Sequence, residues 1–398
     1  MQIVNPNSSY PIGSRVENIN GVAMRGAPEK QGWSFSRAGY LAALADPLLD
    51  ADAVGRAVHH ALRPLSAPTL EKAREEYAHR TVIPFPRYFI IEPTALCNRR
   101  CPFCTIIVTN RKGMMKWDHF AQLMVECGKH GVYGLSLYQL GEPFLWHDKI
   151  TAIGYIPAYA IYDEVEKRIG IEGMVDYAKE VGGFCAVNLS TNGDVPNLAD
   201  VLDSRLDDLI ISIDGTTAEV YDANRPSTKA NDADAFERTI GRVRDFLERK
   251  AARGDVKPFV RLQCINKENT AGQVLDFIRY WIDIPGVDDV LIKNLDSMRP
   301  WLGSKIVSDA EDALKAEHLG AMPCQHLYAV GSMVVDGRFN ACAHDARTEL
   351  TTAGANIDAM TFSEWWNGEY LMALRAQHNA GAFRKPCLEC REKDTWLG

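Results

Sequence analysis

Cys97-Asn98-Arg99-Arg100-Cys101-Pro102-Phe103-Cys104 follows shortly after a brief apolar run, Tyr88–Glu92. The three thiols are separated by three residues and then two, with no histidine close by. Structural zinc sites take four protein ligands and favour Cys-x2-Cys pairs, so this spacing suits zinc poorly. A zinc site and chance clustering are the bland alternatives. An iron–sulfur cluster normally takes four thiolates. Three thiolates so near in sequence can hold three corners of a four-iron cluster, which leaves one iron for a small molecule.

From Arg87 onward the chain repeats strand, loop and helix. Tyr88–Glu92, Gly134–Leu140, Phe184–Ser190, Leu206–Ile213, Val260–Ile265 and Asp288–Lys293 read as strands. Trp117–His130, Ala235–Ala252 and Ala271–Trp281 read as helices between them. Such alternation predicts a parallel sheet with helices outside. Six units suit an incomplete barrel better than a closed eight-unit one. The fold class is therefore α/β: a partial (β/α)6 barrel with an N-terminal helical extension and a small C-terminal α+β domain. The boundaries are 1–82 for arm and extension, 83–305 for the barrel and 306–398 for the tail. Residues 1–30 read as a loosely docked arm rich in Gly, Pro, Asn and Ser. Ala51–Leu62 and Thr69–Ala78 read as helices, and no strand-rich module is expected over 36–78. Residues 151–170 form an insertion, either a lid, a subunit contact or a solvated hairpin or helix. After Ser297 the alternation stops.

The chain has 398 residues, enough for a large core, and 46% are hydrophobic. Its net charge of −8 argues against gripping a nucleic-acid backbone. No run of 18 apolar residues and no basic, then apolar, leader is present, so a cytoplasmic protein with no membrane partner is expected. In a reducing compartment ten cysteines suit metal ligation or buried thiols better than disulfides. Seven fall into two groups: Cys97, Cys101 and Cys104, then Cys324, Cys342, Cys387 and Cys390.

The first group resembles the signature of the radical S-adenosylmethionine superfamily, Cys-x3-Cys-x-aromatic-Cys, with Phe103 at the aromatic position. Three further stretches resemble family motifs in the same order: Gly141-Glu142-Pro143, Ser190-Thr191-Asn192-Gly193 and Ser212-Ile213-Asp214-Gly215. All lie at the C-terminal ends of predicted strands, where barrel enzymes place their chemistry. The resemblance implies a [4Fe-4S] cluster whose open iron chelates S-adenosylmethionine. It also implies cofactor contacts from Phe103, Gly141, Glu142, Pro143, Ser190, Asn192, Ser212 and Asp214. A flavodoxin or ferredoxin would supply one electron, and the resulting 5′-deoxyadenosyl radical would abstract hydrogen from an unactivated carbon.

On bare spacing the second group reads equally as zinc or iron–sulfur. Cys324-x12-Gly337-x4-Cys342 resembles the opening of the SPASM auxiliary-cluster module of this superfamily. The full module has seven cysteines and this group has four, which implies the shorter twitch form with one auxiliary [4Fe-4S] cluster. Twitch-bearing enzymes of the 2-deoxy-scyllo-inosamine dehydrogenase type oxidise a small alcohol, with a sugar-like or cyclitol-like molecule as partner. The alternatives are a peptide maturase forming a crosslink or epimer, and a redox-neutral epimerase, dehydratase or mutase. Three residues are candidates for the chemistry itself. Arg225 suits orientation or anion binding, since arginine stays protonated. Asp222 is a proton acceptor, with helix capping as its rival role. Cys264 could return a hydrogen atom, although a lone buried thiol is more often simple packing. Arg261, Gln263, Lys293 and Asn294 lie where strand alternation points some of them into the barrel.

Overall fold

A computed structural model describes residues 80–151, 166–294, 324 and 326–390, together with three strands near the N-terminus. In chain order these strands are β1 (Val16–Ile19), β2 (Val22–Gly26) and β3 (Trp33–Ser36). Next come β4 (Tyr88–Ile91), α1 (Trp117–Cys127), β5 (Gly134–Ser136), β6 (His147–Thr151) and β7 (Glu166–Gly170). They are followed by α2 (Ile171–Glu180), β8 (Ala186–Thr191), β9 (Asp208–Ser212), α3 (Ala218–Asn224) and α4 (Ala235–Arg253). The barrel part closes with β10 (Phe259–Asn266), α5 (Val274–Ile282) and β11 (Asp289–Asn294). The tail supplies α6 (His326–Ala329), β12 (Val330–Met333), α7 (Phe362–Trp366) and α8 (Glu369–Asn379).

One sheet runs β1-β2-β3-β11-β10-β9-β8-β5-β4-β12. From β11 to β12 every neighbouring pair is parallel, which makes seven parallel strands. All six strands read from the sequence are present. The seventh, β12, pairs with β4 in the register Val330↔Tyr88 to Met333↔Ile91, so the alternation resumes once within the tail. Val330-Gly331-Ser332-Met333 is too short and too mixed to announce itself as a strand.

One further expectation is corrected. Part of the N-terminal arm is strand: β1 to β3 pair antiparallel, and β3 joins β11 with Trp33 opposite Ile292. Main-chain pairing to an existing sheet edge does not need the alternating apolar pattern that sequence reading relies on. The expected helices Ala51–Leu62 and Thr69–Ala78 lie outside the described residues. So do residues 152–165, the centre of the insertion, whose flanks β6 and β7 form an antiparallel hairpin. No helix among the described residues is long and apolar enough to cross a membrane.

Side-chain alternation sorts the strands into two faces. Phe89 and Ile91, Val187 and Leu189, Leu209 and Ile211, and Val260, Leu262 and Cys264 enter one hydrophobic cluster with the helices. Residues of opposite parity face the barrel lumen. At its floor Arg261 Nε lies 3.0 Å from Asp289 Oδ2, both buried, which commits Arg261 to closing the base rather than to the mouth. Gln263 Nε2 donates to Ser212 Oγ at 3.0 Å. Lys293 and Asn294 end β11.

The tail is fastened by aromatic packing. Phe362 lies within 5.0–5.6 Å, centroid to centroid, of Phe85, Phe89, Phe339, Trp365 and Trp366. We expect Phe362→Ala to cost about 3–5 kcal/mol, the usual range for a buried aromatic cut to alanine. Urea unfolding followed by tryptophan fluorescence should show one transition at a lower midpoint. Two separated transitions would show instead that the tail folds by itself.

Candidate active site

The cysteine loop leaves β4 and is clamped on both sides. Arg100 N–H donates to Pro226 O at 2.9 Å and Thr228 N–H to Asn98 O at 3.0 Å, so residues 98–100 run beside the segment that follows α3. Within the loop, Cys104 N–H donates to Cys101 O at 3.0 Å. The buried Arg99 side chain bonds Arg225 O at 3.0 Å, Asp194 Oδ2 at 2.6 Å and Thr239 Oγ1 at 3.0 Å. Asp194 also receives Arg238 and Arg242.

The three thiols are close enough for each to feel its neighbours. Burial, followed by the charge of Glu142, pushes Cys97 up to about 12, and Cys101 and Cys104 add to this. Burial pushes Cys104 up to about 11. Burial also raises Cys101, partly offset by Arg225. Metal ligation must therefore displace bound protons. N–H groups already point at sulfur: Arg99 N lies 3.4 Å and Asn192 Nδ2 3.9 Å from Cys97 Sγ, and Arg225 Nη1 lies 4.0 Å from Cys101 Sγ. Donors of this kind suit an anionic iron–sulfur cluster, whose sulfurs accept hydrogen bonds. The donor set thus fits the implied cluster. Among the described residues no group of three or more His, Cys, Asp or Glu side chains is placed to hold a single metal ion.

Glu142 joins two of the sequence motifs. Its Oε1 accepts from Thr191 Oγ1 at 2.7 Å and from Phe144 N–H at 3.3 Å, and its Oε2 accepts from Asn192 N–H at 2.7 Å. Burial lifts its carboxyl to about 7. Gly141 precedes it at φ +81°, and a Cβ there would meet Thr94 O at 2.2 Å. Only glycine fits that approach. Pro143 opens the short turn that Glu142 caps.

Asp214 accepts from Ile265 N–H at 2.7 Å and pairs with Arg225 Nη2 at 2.7 Å. Burial alone would lower Arg225, but Asp214 and the Cys101 sulfur beside it raise its proton affinity overall. The guanidinium lies 5.9 Å from the Phe103 ring centroid, and Lys267 Nζ lies 4.5 Å from the same ring. Ser190 is half-buried on the lumen side of β8, and Asp222 is half-buried on α3. Cys264 is fully buried with Val260 and Leu262 in the hydrophobic cluster. Arg99, Asp194 and Lys267 were not singled out from the sequence. A charged residue enclosed between two loop cysteines was the available signal for Arg99.

The thiols of the second group also lie near one another. Burial raises Cys342 well above its ordinary value, and the charges of Cys324, Cys390 and Cys387 add to it. Cys390 N–H donates to Cys387 O at 3.2 Å, and Asn340 Nδ2 donates to Cys342 O at 2.9 Å. Gln139, just past β5, donates through Nε2 to Ala343 O and ties the two modules together.

Streptococcus suis SuiB bound to S-adenosylmethionine superposes with a TM-score of 0.53 at 14% identity, covering 89% of this chain and 80% of SuiB. SuiB bound to precursor peptide SuiA gives 0.53 at 14%, covering 89% and 77%. BtrN in complex with AdoMet and 2-DOIA covers 78% of this chain and 93% of its own at 15% identity, with a TM-score of 0.45. SuiB is a radical S-adenosylmethionine enzyme. This chain has the radical S-adenosylmethionine fold. No protein-family model and no curated protein matches it. The clamped cysteine loop follows the C-terminal end of β4, at the mouth of the partial barrel.

Two consequences can be measured on the apoprotein. Glu142 and Glu92 are each raised by burial to about 7, so each binds its proton more tightly folded than unfolded. Their contribution is present below the unfolded value and is lost as pH rises through the folded one. The urea midpoint should fall from about pH 5 to 7. Glu142→Gln should remove part of that slope, leaving its deficit from wild type largest near pH 5. A parallel slope in the variant would refute the assignment. Arg225→Gln leaves Asp214 buried and unpaired, which should cost about 3–5 kcal/mol in the same assay.

Proposed function

We propose that the chain is a radical S-adenosylmethionine oxidoreductase acting on an alcohol carbon of a small sugar-like or cyclitol-like molecule. The observation that carries this is the pair of thiol groups: three cysteines with N–H donors at sulfur, and Cys342 with Cys324, Cys387 and Cys390 near enough to act on it, tied to the barrel through the Gln139 bond. Cys97, Cys101 and Cys104 would hold the cluster that chelates S-adenosylmethionine. Cys324, Cys342, Cys387 and Cys390 would hold the auxiliary cluster. When bound, these groups supply reductive cleavage to a 5′-deoxyadenosyl radical and an acceptor for the electron left on the substrate. A flavodoxin or ferredoxin would supply the initial electron.

The chain's own part is placement. Phe103, flanked by Arg225 and Lys267, offers an aromatic face with fixed positive charge for the nucleoside. The loop from Ser190 to Gly193 and the Ser212–Asp214 turn offer hydroxyl and amide groups beside it. Glu142 has both oxygens engaged, so it positions the Thr191–Asn192 backbone and leaves cofactor contact to its neighbours. Asp214 holds Arg225 in place, which leaves Asp222 the freer carboxylate for the hydroxyl proton.

A second reading, peptide maturation, draws support from the strands β1 to β3 added to the sheet edge and from the fold shared with SuiB, which was crystallised with its precursor peptide. A redox-neutral isomerase would differ from both in leaving the substrate's oxidation level unchanged.

Anaerobic reconstitution with iron and sulfide tests the leading reading. Wild type should release 5′-deoxyadenosine from S-adenosylmethionine and dithionite. Alanine at Cys97, Cys101 or Cys104 should abolish this. Alanine at Cys387 and Cys390 should remove about four irons per chain, as expected for one cubane. That double variant should still release 5′-deoxyadenosine yet yield no oxidised product. A folded double variant with undiminished oxidation would overturn the auxiliary cluster's part as electron acceptor, and a wild-type product at the substrate's own oxidation level would overturn the oxidoreductase assignment.

A further inference from the structure

Three buried side chains meet where the cysteine loop touches the ends of β9 and α3: Cys101, Arg225 and Asp214. Arg225 Nη1 lies 4.0 Å from Cys101 Sγ, and its Nη2 lies 2.7 Å from Asp214 Oδ2. One cation thus bridges a thiol and a carboxylate through two different nitrogens. Both ends of the bridge are anchored independently. Asp214 Oδ1 accepts from Ile265 N–H at 2.7 Å, and Asp214 O accepts from Asn224 Nδ2 at 2.8 Å. Arg225 N–H donates to Tyr221 O at 2.7 Å, while its carbonyl receives Arg99 Nη1 at 3.0 Å.

At the sulfur the two charges act in opposite directions. Arg225 favours negative charge on Cys101, Asp214 disfavours it, and Arg225 has the larger effect. Water and salt screen such buried charges weakly. Taking up an electron adds one negative charge to an iron–sulfur cluster, and the potential follows net charge and the hydrogen bonds to the sulfurs. A cation at a ligand sulfur therefore eases reduction, and a carboxylate fixed behind that cation opposes it.

We propose that the Asp214–Arg225 pair sets the reduction potential of the cluster held by Cys97, Cys101 and Cys104, Arg225 raising it and Asp214 limiting the rise. Both act as positioning residues, through the Cys101 sulfur. One electron enters from the donor, no bond forms or breaks at the pair, and the guanidinium keeps its proton. The proposal rests on the assignment of the first cluster and adds what governs the ease of its reduction.

Dithionite titration of the anaerobically reconstituted full-length protein, followed by EPR without S-adenosylmethionine, tests this. Arg225→Gln should move the reduction equilibrium about tenfold toward the oxidised cluster, the scale of one hydrogen bond from a charged donor. For one electron that is a midpoint about 59 mV lower. Asp214→Asn should move it the opposite way, and Arg225→Lys should stay near wild type. Should Arg225→Gln fail to fold, the double variant Asp214→Asn with Arg225→Gln leaves no buried charge unpaired, and its midpoint should lie below that of Asp214→Asn. A signal from the second thiol group should keep its midpoint throughout. A purely structural pair would shift both single variants in the same direction or neither, and either result would overturn the proposal. Iron content and 5′-deoxyadenosine release report separately on the oxidoreductase reading. Opposite shifts without cofactor cleavage would leave the pair's role standing and remove that reading, whereas a protein that assembles no cluster would remove both.

Discussion

The Arg99 guanidinium is the point from which the cysteine loop is built. It has no exposed surface and reaches Asp194 beyond β8, Thr239 on α4 and the Arg225 carbonyl after α3. A loop of eight residues has little packing of its own. Here its conformation is imposed by one cation whose acceptors come from three different units of the barrel. Leaving such a charge unpaired in the interior is costly. The loop and the strand ends are therefore fixed together or not at all.

A second constraint is electrostatic. Thiols packed together and buried resist ionisation, and Cys97 is raised to about 12. The surroundings counter this with Arg225 on Cys101 and Lys267 above Phe103. The nearby carboxylates are meanwhile engaged elsewhere, Asp214 with Arg225 and Glu142 with hydroxyl and amide donors. Arg225 thus faces sulfur, while Glu142 and Asp214 serve as braces whose charge still raises Cys97 and Cys101.

The tail belongs to the same construction. β12 lengthens the barrel sheet beside β4, Phe362 packs on Phe89, and Gln139 bonds Ala343. The tail and the barrel therefore share one continuous sheet.

Local pattern was enough for the strand–helix alternation from Arg87 to Lys293, because apolar runs of strand length and amphipathic helices carry their period in the sequence itself. It was enough also for the grouping of the thiols and for the three motifs at strand ends, since spacing is a one-dimensional property. It did not reveal β1 to β3 as strands or β12 as a seventh parallel strand, whose formation depends on an edge supplied by distant residues. Nor did it distinguish among the polar side chains. Glu142 became a brace, Arg261 a floor and Cys264 part of the core, while Arg99, Asp194 and Arg111 acquired their roles only from partners 19 to 140 residues away. Hydrogen bonding and burial are relations between distant segments, and those relations exist only once the chain is folded.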